Sequence, residues 1–130
     1  MSQENVELVR RHLDAVERGD FPAALTCLDS DLDWIPHRAA TEGAYHGHEG
    51  WEQFVADTRE SFDVFEPRFE LGDLGEQVLA WGVIRVSGKG SGIDMEFPVG
   101  GIFDCRGGKI TRWQDFGSKE KALEAAGLRE

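Results

Sequence analysis

IFDCRGGKITRWQDF, residues 102–116, decides the fold. It reads as the end of one strand, a tight turn at Gly107-Gly108 and a second strand from Lys109 to Phe116. On that second strand Thr111, Trp113 and Asp115 share one face, while Ile110, Arg112, Gln114 and Phe116 share the other. A carboxylate beside a tryptophan on one sheet face is the first hint of a site.

Working outward, three more extended segments precede the turn: Asp63–Leu74, Glu76–Gly88 and Ile93–Cys105, with KGSG (89–92) as a hairpin connection. Apolar residues occupy both faces, Trp81 and Val83 on one, Ala80, Ile84 and Val86 on the other. After the last strand, SKEKALEAAGL is a closing helix with Ser118 as its cap. Towards the N-terminus, Val6, Val9, Leu13 and Val16 fall at helical spacing, with Leu8 and His12 beside them, and Gly19-Asp20 ends that helix. Phe21–Leu28 forms a second short helix that tolerates Pro22 in its first turn. SDLDWIP is a short strand with Leu32 and Trp34 on one side, stopped by Pro36. A third helix starts near His48 with Trp51, Phe54, Val55, Thr58 and Phe62 as its apolar stripe. Helices first and long strands afterwards make an α+β domain, a curved, mostly antiparallel sheet with helices packed on its concave face. The other face needs a cover, and a second copy of the chain supplies one, so a homodimer is expected.

The chain is 130 residues long and 40% hydrophobic, enough for one domain spanning 1–130 with a real core. Its 14 Lys and Arg face 25 Asp and Glu, a formal net charge of −11, and no basic run breaks that balance. Such a surface repels phosphate backbones and anionic membranes, so neither nucleic acid nor membrane is an expected partner. Cys27 and Cys105 match no ligand spacing and read as reduced, structural thiols. The N-terminus MSQENVELVRR has no hydrophobic run, which makes the cytoplasm the default location. No P-loop, dinucleotide fingerprint or serine-centred elbow occurs, and no cofactor is expected.

HRAATEGAYHGHEG, residues 37–50, holds three of the four histidines, His37, His46 and His48. A metal site could be drawn from them with a carboxylate, but the interspersed Gly43, Gly47 and Gly50 read as a bending loop that fixes nothing. The stretch is expected to be a pocket rim and helix entry without metal, with His37 the histidine that touches a ligand. Tyr45, at the mouth, would offer its hydroxyl.

Four segments together resemble the SnoaL-like branch of the NTF2-like superfamily, which includes polyketide cyclases and ketosteroid isomerase: ENVELVRRHLDAVERGDFPAALTCLDSDLDW, YHGHEGWEQF, IFDCRGGKITRWQDF and SKEKALEAAGL. The resemblance implies a cone-like domain enclosing an apolar cavity for hydrophobic small molecules, and it specifies the fold better than the reaction. It also implies roles. His12 matches the helix-one tyrosine that bonds the enolate in the steroid isomerase, and a histidine there could exchange a proton near neutral pH. A half-buried histidine bonded to a neighbour is the plainer alternative. The isomerase's own base precedes a strand-one proline, where this chain has Ile35 before Pro36, and its second acid falls near Val99, so both roles are vacant. Asp115 matches the strand aspartate that serves cyclase-like relatives as general acid/base. The alternative is a carboxylate paired with Arg85 or Arg112, or one facing solvent.

Limonene-epoxide-hydrolase-like relatives use two aspartates bridged by an arginine, of which Asp115 with Arg85 supplies part and Asp104 would have to supply the rest. Trp34 and Trp113, among four tryptophans and eight phenylalanines, suit an aromatic pocket wall or an ordinary core. Two functions therefore stand: a cofactor-free cyclase or isomerase using His12 and Asp115 on an apolar carbonyl compound, with Trp34, His37, Tyr45, Trp113 and Arg85 lining the pocket; or a small-molecule-binding or dimerisation domain without turnover. Epoxide hydrolysis is a minor third.

Overall fold

The computed structural model describes residues 2–37 and 43–127. The elements run α1 (Ser2–Glu17), α2 (Phe21–Thr26), β1 (Leu28–Ile35), β2 (Tyr45–His46), α3 (Gly47–Ser61), β3 (Phe62–Asp73), β4 (Gln77–Gly88), β5 (Asp94–Arg106), β6 (Lys109–Asp115) and α4 (Lys119–Ala125). All six strands form one sheet in the order β2-β1-β6-β5-β4-β3. Every pairing is antiparallel except β1 with β6, so the sheet is mixed. That parallel pair joins the first and last long strands of the chain, and its register sets Trp34 beside Trp113 and Ile35 beside Gln114.

Local chemistry explains the element ends. Asp20 caps α2 by accepting from the Ala23 amide at 3.2 Å, and Pro22 stands in the first turn, where no amide is needed. Ser118 caps α4 by accepting from the Lys121 amide. Gly50, expected in a bending loop, lies inside α3 instead, where a methyl group would come within 3.1 Å of the Tyr45 backbone, so the missing side chain lets the helix pack close to it. The two residues before α3 pair with β1 as a short strand that no periodicity announces, because two residues carry none.

The core lies between the concave face of the sheet and the helices. Leu8, Val9, His12 and Ala15 form the buried stripe of α1, while Val6, Leu13 and Val16 are only half-buried. The helix is thus rotated by part of a turn from the expected face, and His12 sits at the stripe's centre. Trp34, Trp51, Phe103 and Trp113 join it, with Val78, Ala80 and Val99 from the sheet.

Glycines let this sheet pack closely against its neighbours. At Gly82 the neighbouring β3 backbone passes so closely that a methyl group would overlap the Arg68 carbonyl, a close backbone approach that only glycine permits. Gly100 and Gly101 form no bulge against β4. The β4–β5 register runs unbroken through both, and the irregularity falls between Asp104 and Cys105, against β6. Their role is close approach: Gly100 meets the Ser118 backbone and Gly101 lies under the Trp113 ring.

One helix departs from the concave arrangement. α4 packs on the opposite face, with Ala122 and Leu123 against Leu79, Ile102 and Trp81. Lys119 Nζ stands 4.4 Å from the Trp81 ring centroid. The cover that the two-sided strands require is therefore supplied in part by the chain's own C-terminal helix.

Candidate functional site

His12 is the most enclosed titratable group, 1% exposed. Its Nδ1 lies 2.9 Å from the Ala24 carbonyl oxygen. A carbonyl only accepts, so Nδ1 carries the proton and Nε2 presents a lone pair. Rings of Trp34, Trp51 and Phe103 surround the imidazole at 5.9, 5.7 and 6.4 Å between centroids. Burial outweighs the Ala24 bond and pushes the His12 pKa down to about 4, so the ring is neutral at pH 7.

Trp34 connects the two ends of this aromatic cluster. Its ring is 5.9 Å from His12 and 6.1 Å from Trp113, and Trp113 in turn stacks on Phe103 at 4.4 Å. Among the described residues Trp34 Nε1 is a buried donor without a hydrogen-bond partner. A buried N–H left unpaired costs about 1–3 kcal/mol, which marks a place where an acceptor would be welcome.

Asp115 occupies the other end of the same face. It pairs with Gly101 as Trp113 pairs with Phe103, so all four point to the concave side. Asp115 Oδ1 accepts from the Gly117 amide at 2.8 Å. Burial raises its pKa above the ordinary 3.8, opposed by the Gly117 amide, the charge of His37 and the Gly100 amide. His37 lies against Gly117: a methyl there, at φ +88°, would come within 2.9 Å of its Nε2. The structure therefore brings Asp115 to His37. It does not bring Asp115 to His12, whose contacts are with Ala24 and the aromatic rings.

The other expected pocket residues scatter. The Tyr45 hydroxyl donates to Asp57 Oδ2 at 2.8 Å, tying the short β2 to α3. Arg85 faces the opposite side of the sheet, 2.8 Å from Glu66 Oε1 and 3.8 Å from Asp94 Oδ2. It lines no concave pocket and cannot bridge Asp115, because alternation along β4 sends it outward with Trp81 and Val83. Asp104 also faces outward, accepting from Gln77 Nε2, so the aspartate–arginine–aspartate set is not assembled. Of the loop histidines, His46 donates to Asp33 on the surface and His48 Nε2 donates to the Leu28 carbonyl. Among the described residues no three of His, Cys, Asp or Glu stand together as metal ligands would. The segment 38–42, expected on the pocket rim, lies outside the described residues.

A separate groove of about 780 Å³ runs between the outer side of α1 and β3. Phe65, Pro67 and Phe69 floor it, and Arg10, Asp14 and Arg68 stand on its rim. None of the expected pocket residues lines it. Sequence reasoning missed this groove because Leu13 and the β3 apolar residues read as core.

Comparison with known proteins agrees with the geometry. The SnoaL-like domain profile matches residues 9–113. An uncharacterised protein of Mycobacterium tuberculosis is 27% identical over 125 residues, covering 93% of this chain and 94% of its own. An NTF2-like protein of unknown function from Burkholderia pseudomallei superposes with a TM-score of 0.79 at 20% identity, covering 93% of this chain and 95% of the other. A candidate polyketide cyclase from Xanthomonas campestris superposes at 0.77 with 25% identity, covering 88% and 90%. The chain belongs to the SnoaL-like domain family and has the NTF2-like, ketosteroid-isomerase-like fold. The matched span stops at Trp113, just short of Asp115.

Proposed function

We propose that the protein is a cofactor-free enzyme of the cyclase or isomerase type, moving a proton beside the carbonyl of an apolar small molecule. One observation carries this reading: Asp115, with its pKa raised by burial, stands next to Trp113 on the aromatic face and near His37. A carboxyl group shifted upward holds its proton closer to neutral pH and can return it, which general acid/base catalysis needs. His12, neutral with its Nε2 lone pair free to accept, and the unpartnered Trp34 Nε1–H supply an acceptor and a donor deeper in the cluster. The candidate polyketide cyclase among the similar structures supports the same reaction class.

A second reading has its own support. The Asp115 carboxylate already accepts backbone amides of Gly117 and Gly100, which is what a carboxylate that only ties β5 to the β6–α4 turn would do. In that reading the domain binds an apolar ligand without turnover. In either reading we expect a homodimer, formed over the part of the outer face that α4 leaves open.

Proton exchange decides between them. Incubation of the protein in deuterated water with 2-acetonaphthone, a flat ketone with exchangeable α-hydrogens, should wash deuterium into the methyl group. Asp115→Asn should slow this by roughly 10²-fold or more, the usual contribution of a positioned acid/base group. Exchange unchanged in that variant, with binding intact, would leave the binding domain.

A further inference from the structure

The concave row of β5 does not stop beside Asp115, the β6 partner of Gly101. Moving out from the core, Phe103, Gly101, Val99, Phe97 and Met95 succeed one another on one face, because alternate residues of a strand share a side. Their β4 partners Val78, Ala80, Gly82, Ile84 and Val86 are all core-facing or glycine. Exposure climbs along this row from 1% at Phe103 and 4% at Val99 to 39% at Phe97 and 45% at Met95. Asp115, paired with Gly101, stands beside the point where the row leaves the core.

Charge is kept off this row. The alternate residues Asp94 and Glu96 pair with Ser87 and Arg85 on the outer face, where Asp94 lies 3.8 Å from the Arg85 guanidinium. An apolar molecule lying on the concave side would meet Met95, Phe97 and Val99 and no carboxylate of β5.

The flank of this segment discourages a protein occupant. β6 pairs with β5 only as far as Gly101, with the Phe116 amide donating to the Gly100 carbonyl just beyond, so among the described residues nothing pairs with the flank of 94–99. The Gly100 carbonyl points towards β6, and by alternation the backbone groups of Pro98, Glu96 and Asp94 point to the same, open side. Proline has no N–H, so the donor of that edge nearest β6, at Pro98, is missing. An added strand would lose the hydrogen bond at the inner end, where it would have to continue β6, as in edges protected against pairing.

We propose that the Val99–Phe97–Met95 row is a track for the apolar tail of the ligand whose carbonyl sits at Asp115. The ligand is then an elongated ketone or related carbonyl compound, flat at the Trp113 end and aliphatic or polyene beyond. The track from Gly101 to Met95 is about 20 Å long, six residues at strand rise. This inference rests on the proposed function for the position of the carbonyl, and on the strand geometry for the tail.

The test compares methyl 2-naphthyl ketone with heptyl 2-naphthyl ketone, which adds six methylenes to the same head. Dissociation constants would come from NMR titration of the full chain, following the Asp115 carboxyl and the Met95 methyl together. Full burial tightens binding about fourfold per methylene, so a half-exposed wall should give about twofold each, roughly 60-fold over six. Met95→Ser with Phe97→Ser should cut that ratio below about fivefold and leave the methyl ketone's affinity unchanged. Val83→Ser, equally exposed but on the outer face, should leave the ratio intact. Chain-length independence, or a ratio that survives the double substitution, overturns the track even where Asp115 responds to both ketones. A double variant that changes the oligomeric state in light scattering and not the ratio overturns it too, assigning the row to a second copy. Tail dependence at Met95 with no response at Asp115 keeps the track and removes the acid/base reading. Binding by neither ketone removes both.

Discussion

Trp113 lies across Gly101 of the neighbouring strand, and a methyl group at that glycine would overlap both the edge of the indole and the Gln114 carbonyl. The pair fixes where the aromatic wall stands relative to Asp115, since Gly101 is also the strand partner of Asp115. Gly101→Ala forces either the indole or β5 to move. Overpacking of this kind costs about 1–3 kcal/mol. For a chain of this size that is a fall in Tm of roughly 3–5 °C per kcal/mol. Thermal unfolding measures the loss, and a shift in tryptophan fluorescence separates a displaced Trp113 from a general loosening.

His12 makes folding sensitive to acid in a direction that can be stated. Its folded pKa, about 4, lies below its ordinary 6.5, so the unfolded chain binds the proton more readily. Its contribution is complete above pH 6.5 and is lost as pH falls towards 4, at a total of about 3 kcal/mol. His12→Phe should remove that part of the pH dependence, while the Ala24 carbonyl keeps its bond from the Cys27 amide. Urea unfolding at pH 7, 5.5 and 4.5 checks this. A wild-type chain whose stability falls no faster than that of the variant would show that the imidazole is reached by water.

The fold was legible because its signals are long. Five strands of seven residues or more carry a repeating two-residue pattern, and the expected ends fall within a residue or two of those observed. The Gly107-Gly108 turn could only join a hairpin. The site was less legible, for identifiable reasons. Asp115 and its face followed from simple alternation. Its neighbour His37 follows from the parallel pairing of β1 with β6, which depends on everything folded between them. Arg85 was misassigned because the sequence gives its alternation but not which side of β4 meets the helices. The four histidines behave differently for the same reason: His12, His46 and His48 are bonded to, and His37 lies against, partners brought from elsewhere in the chain.

Tyr45 tests the difference between a ligand contact and a stitch. Its hydroxyl donates to Asp57 while its ring meets Phe54 at 5.5 Å. Tyr45→Phe keeps the ring and loses the bond, at about 1.5–3 kcal/mol given the charged acceptor. Ketone affinity should not change. A variant of full stability that binds the naphthyl ketones several-fold more weakly would return the hydroxyl to the ligand.

Asp115 has the opposite linkage to His12. Its folded pKa is raised, so the folded chain binds this proton more readily than the unfolded chain. The ionised carboxylate therefore carries a cost that is present above its folded pKa and relieved as pH falls from there to 3.8. Wild-type protein should gain stability relative to Asp115→Asn as the pH is lowered through that window, whatever the offset between them at pH 7. His37 restrains the shift, because its positive charge favours the carboxylate. His37→Gln should consequently move the Asp115 titration further up, as read from the side-chain carboxyl carbon by NMR. A downward movement would mean that the imidazole acts on Asp115 by excluding water rather than by its charge. No movement would separate the two residues, and the catalytic reading would then rest on Asp115 alone.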